Sequence, residues 1–183
     1  MFKIILVFIF ASFSLTGLAN CFQDKSFHNS FEDANSDEFL KYLEGYNLRY
    51  SVCVKEWVDM SDFSFIENQV LMANRLSSLI TSDFNRSKDV FIDFYSSHDG
   101  ESVISLAEGV LKLINTFEEN AIILLNSLDS KGVPVIFIFN LDSAVAQIWL
   151  RNECVQLNDI SKNISTSENL RIVINQILDK RCS

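Results

Sequence analysis

The stretch SFIENQVLMANRLSSLITSDF, residues 64–84, sets the fold class. Ser64 and Glu67 form an S-x-x-E capping box, whose two side chains answer the unpaired N–H groups at a helix start. Ile66, Val70, Ala73, Leu76, Ile80 and Phe84 then recur at steps of three and four, which aligns them on one helical face. A strand would alternate every second residue, and this segment does not.

The same grammar recurs on both sides. Asn35 and Glu38 open a run in which Phe39, Leu43, Tyr46, Tyr50, Cys53 and Trp57 make one apolar stripe. Ser87 is placed to cap a short helix through Val90, Phe91, Phe94 and Tyr95, and residues 101–115 continue the pattern through Val103, Ala107, Val110 and Ile114. Thr116 and Glu119 supply a second box, opening a helix from Ala121 to Leu128 that Gly132 and Pro134 stop. Residues 141–156 form a helix behind Asn140. Ser165 and Glu168 supply a third box ahead of Leu170, Val173, Ile174, Ile177 and Leu178. Only Val133-Pro134-Val135-Ile136-Phe137-Ile138-Phe139 has strand-like content. No second such run offers it a partner and Pro134 suits a first helical position, so we read it as a buried helix, with a strand as the alternative.

With 5 Gly and 1 Pro, the chain lacks the punctuation of a sandwich or barrel. The expected fold is all-α: an irregular bundle of about six or seven helices, stapled by disulfides. A short α-solenoid is the alternative, because helix pairs recur roughly every 35 to 40 residues.

The chain begins MFKIILVFIFASFSLTGLA, residues 1–19: a basic Lys3, an apolar run and small residues before a cut after Ala19. That is the layout of a secretory signal peptide. It is followed by an extended lead-in over 20–35 and a single helical domain over 36–183. Leu18-Ala19-Asn20-Cys21 resembles a bacterial lipobox, which implies lipidation of Cys21; Asn20 stands where that pattern has a small residue, so cleavage after Ala19 comes first. The protein is therefore expected to be periplasmic or secreted. Attachment to a membrane would come only through a Cys21 anchor or an uncleaved leader.

Lys+Arg total 15 against 24 Asp+Glu, a formal net charge of −9, and loss of Lys3 with the leader deepens it. This argues against nucleic acid and points to a protein partner, a basic one if charge steers the encounter. Cys21, Cys53, Cys154 and Cys182 are an even set in an exported chain, expected as two disulfides. If residues 141–156 and the last helix form a hairpin, Cys154 lies beside the turn and Cys182 at the far end. The two would then be roughly 20 Å apart, so Cys53–Cys154 with Cys21–Cys182 is the expected pairing.

No catalytic, cofactor-binding or metal-binding residue is expected. Neither histidine lies near a cysteine, and no nucleophile elbow, zinc pair, Walker loop or EF-hand loop occurs. The one dense polar cluster with a titratable centre is Ser96-Ser97-His98-Asp99-Gly100-Glu101-Ser102, which we read as helix punctuation, with a hydrolytic site on His98 and Asp99 as the alternative. Asn85-Arg86-Ser87 and Asn163-Ile164-Ser165 match the glycosylation sequon. The resulting expectation is an exported, non-enzymatic protein-binding domain of a bacterial envelope, inhibitor or immunity-like. The alternative is a lipid-anchored envelope lipoprotein with a scaffolding or assembly role.

Overall fold

In the computed structural model, residues 34–53, 63–98, 101–135 and 154–182 are described; for 48–53, 63–68, 101 and 181 this covers the backbone alone. The expected leader, Cys21, His28, the strand-or-helix stretch beyond Val135 and residues 141–153 lie outside them. Among the described residues the chain is all-α, with seven helices and no strand. These are α1 (Ser36–Cys53), α2 (Phe63–Ser82), α3 (Phe84–Ser97), α4 (Glu101–Thr116), α5 (Glu118–Ser130), α6 (154–162) and α7 (Glu168–Arg181). The chain divides into two compact units, one ending at Phe65 and one beginning at Ile66.

In the first unit, α1 starts on the reciprocal box that its sequence encodes. Asn35 Oδ1 accepts from the N–H groups of Asp37 and Glu38, and Glu38 Oε2 accepts from the Asn35 N–H at 3.0 Å. Phe39, Leu43 and Tyr46 on the expected stripe are buried.

In the second unit α5 is the hub, packing against α3, α4 and α7. Its inner face, Ala121, Ile122, Leu124, Leu125 and Leu128, is buried throughout. A helix shared by three others makes this unit a bundle rather than a stack of pairs. Gly109 on α4 meets Ser77 on α2 so closely that an added Cβ would lie 3.0 Å from Ser77 Cα. Small residues at both positions let the two backbones approach.

Several helix starts differ from expectation. The pattern that runs to Phe84 is cut at Asp83, whose backbone is non-helical (φ −145°, ψ 65°). Just before it, Ser78, Thr81 and Ser82 turn their hydroxyls onto Asn74 and Ser78 carbonyls, which weakens the helix end. Ser87 does not cap α3. It lies inside the helix, buried, donating to the Asp83 carbonyl at 2.7 Å. Thr116 likewise donates back to Lys112 O at 2.8 Å, leaving Phe117 as an N-cap with no side-chain bond. The third box shifts by two residues: Ser167, not Ser165, caps α7, accepting from the Leu170 N–H. The stop after α5, like the start of α1, is as read. Gly132 has φ +74°, its N–H reaches Asp129 O and the Val133 N–H reaches Leu128 O, a full Schellman closure.

The expected cysteine pairing is overturned. Cys154 and Cys182 are disulfide-bonded, with Cα atoms 5.8 Å apart. The error was in the placing of the turn. The helix carrying Cys154 does not end at 156 but continues to 162, so Cys154 stands at the far end of the α6–α7 hairpin, level with Cys182. Cys53–Cys154 and Cys21–Cys182 are thereby excluded together. The Cys53 side chain and Cys21 lie outside what is described.

Candidate functional site

His98 is the titratable centre that the sequence singles out, and its surroundings are local. The residue follows the last turn of α3 and is 7% exposed. Its ring stacks on Phe94 with centroids 3.9 Å apart and planes within 7°. Nδ1 lies 2.8 Å from the Phe94 carbonyl, which can only accept, so Nδ1 carries the proton and donates. Ser97 Oγ, 3.1 Å from the same nitrogen, donates to Asp93 O at 2.6 Å. The imidazole N–H thus answers a C-terminal carbonyl of its own helix. Asp99, the partner in the hydrolytic alternative, lies outside the described residues. Among the described residues, no group of His, Cys, Asp and Glu is arranged to hold a metal ion.

A second cluster, not singled out by the sequence as a site, lies where α5 meets the turn of the α6–α7 hairpin. Asn126 on α5 uses both ends of its amide on this turn: Nδ2 donates to Ser165 O at 2.8 Å and Oδ1 accepts from the Ser167 N–H at 3.0 Å. Arg171, one turn into α7, fans back over the end of α6. Nε donates to Ser161 O at 2.8 Å, and Nη2 reaches Asn163 O and Thr166 O. Its Nη1 holds Glu168 at 2.8 Å. Thr166 Oγ1 donates to Ile160 O at 2.6 Å, and Asn163 Oδ1 accepts from the Ser165 N–H. Asn163 Nδ2 donates to Glu118 Oε1 at 3.2 Å, tying the turn to the first residue of α5.

The product is a turn with little freedom left that carries an aliphatic side chain into solvent: Ile164 is 95% exposed. Phe117, next to Glu118, is 52% exposed. Turn positions usually hold Gly, Pro, Asn, Asp or Ser, so a β-branched residue here is unusual. The sequence did carry a signal. Within Lys162–Glu168, Ile164 is the one apolar residue, but in the sequence it registers only as the middle of the Asn163-Ile164-Ser165 sequon. The Asn126 and Arg171 contacts, 39 to 41 and 5 to 10 residues from their partners, left no such mark. Of the two sequon asparagines, Asn85 is exposed in the first turn of α3, and Asn163 is engaged with Glu118.

No protein-family model matches this chain, and no curated protein or solved structure matches it either.

Proposed function

We propose that this protein is an exported, non-enzymatic protein-binding domain of a bacterial envelope, acting as an inhibitor or in an immunity-like role. The observation that carries the proposal is the use made of His98. The titratable centre of the densest polar cluster in the sequence closes α3 through the Phe94 carbonyl and is stacked on the Phe94 ring. The charge of −9 adds a steering field that favours a basic protein and disfavours nucleic acid. The Cys154–Cys182 bond is compatible with an oxidising, extracytoplasmic place. Among the described residues, no helix is long and apolar enough to cross a membrane. The lipid-anchored scaffolding role rests on Leu18-Ala19-Asn20-Cys21 and would leave the same helical domain at the membrane surface.

The test is a deletion strain examined together with affinity capture from the periplasm. The binding role expects a partner retained by the full chain, and a loss of tolerance to that partner, or of its restraint, on deletion. Normal tolerance with no retained partner overturns it. His98→Ala is expected to leave the phenotype intact; loss of phenotype in a folded variant would favour the hydrolytic alternative.

A further inference from the structure

We propose that the turn at residues 163–167 is the protein's docking epitope, with Ile164 as the anchor that enters an apolar pocket rimmed by Lys and Arg on a protein partner. This rests on the protein-binding role proposed above and names the surface that performs it.

Three observations lead to it. First, Ile164 is almost wholly in solvent at 95% exposure, so its apolar area is available to a partner and contributes nothing to the core. Second, the turn beneath it is already ordered by Asn126, Asn163, Thr166 and Arg171, so binding would lose little conformational entropy there. Preorganisation of this kind lets a single aliphatic residue act as an anchor rather than a loose contact. Third, the surroundings specify the partner's charge. Glu118 bonds the Asn163 side chain, Glu168 is ion-paired with Arg171, which also holds the Asn163 carbonyl, and Lys162 is exposed before the turn. Glu119 is exposed beside Glu118. With the Glu168–Arg171 pair self-compensated and Glu118 and Glu119 outweighing Lys162, the tip's surroundings are net negative and complement cations at the rim of an apolar pocket. The chain's net charge of −9 steers the same partner at longer range.

The experiment places the photo-crosslinking residue p-benzoylphenylalanine at Ile164, or as a control at the exposed Ile104 of α4, in the full chain within its own cells. A protein crosslinked from the first position is identified by mass spectrometry, purified and titrated against the unlabelled chain. The epitope expects a basic protein captured from position 164 and not from 104. It expects Ile164→Asp to weaken that binding by about tenfold or more with an unchanged melting midpoint. Glu118→Lys and Glu168→Lys should each weaken it and reduce its salt dependence. Capture from 104 alone, or full binding by Ile164→Asp, overturns the epitope and leaves the binding role standing. No protein captured from either position, together with none retained in the periplasmic capture, overturns both.

Discussion

Two buried hydroxyls show how single atoms set stability here. Ser77 is 4% exposed and its Oγ has no hydrogen-bond partner, yet the residue is small because Gly109 of α4 lies against it. Ser77→Ala removes an unsatisfied polar atom and keeps the volume low, so it is expected to raise unfolding free energy by up to about 1 kcal/mol in denaturant titration. Gly109→Ala goes the other way. Alanine gains about 1 kcal/mol in helix propensity, but its Cβ would meet the Ser77 backbone, and overpacking costs about 1–3 kcal/mol. A net loss is expected, and only part of it should return in the double S77A/G109A variant, since Ser77 Cα remains 3.0 Å away. Tyr95 poses the second case. Its hydroxyl is buried without a partner, and burial raises its pKa well above the usual tyrosine value. The neutral form is then the stable one in the fold. Its contribution is intact below about pH 10 and is lost above it, as the unfolded chain ionises and the folded chain does not, at about 1.4 kcal/mol per pH unit. Tyr95→Phe should flatten that alkaline limb relative to wild type in pH-dependent melting. An identical limb in both proteins would show that Tyr95 is solvated.

At the scale of elements, apolar spacing was the legible signal and hydroxyl chemistry was not. The buried faces of α1, α4 and α5 follow the expected registers. The α5 stop was legible because Gly132 needs its positive φ. Three caps were misplaced, two of them for one reason: Ser and Thr can bond forward as a cap or back into their own helix, and sequence spacing does not distinguish the two. Ser87 and Thr116 bond back, and Ser165 yields to Ser167. Separately, α6 runs on to 162 instead of ending at 156, and this places Cys154 opposite Cys182. The hairpin is therefore clamped twice, by Arg171 at its turn and by the disulfide at its open end. With a separation of 28 residues, reduction is expected to lower stability by about 3.5 kcal/mol through the freed unfolded chain. Arg171→Ala should cost about 2 kcal/mol, because it leaves carbonyls of Ser161, Asn163 and Thr166 without their donor. Lysine at that position should restore little, since one ammonium cannot reproduce the guanidinium fork. Denaturation with and without reductant, in both variants, measures each clamp.

At the scale of the whole molecule, the Cys154–Cys182 bond constrains what the expected leader can do. The chain has 4 cysteines, so fixing this pair leaves Cys21 and Cys53 as the only two whose state is open. Cleavage after Ala19 leaves both thiols in an oxidising compartment with no other cysteine in the chain to join, and they are expected to bond to each other. Lipidation occupies the Cys21 sulfur and strands Cys53 as a lone thiol. Localisation and cysteine chemistry are thus one question with two readouts that must agree. A mature chain whose intact mass starts at Asn20 is expected to show no thiol on titration under denaturing, non-reducing conditions. A chain starting at a diacylglyceryl Cys21 should show one. A mass beginning at Asn20 together with two titratable thiols would break the link, and with it the expectation that the charge carried by this domain acts outside the cytoplasm.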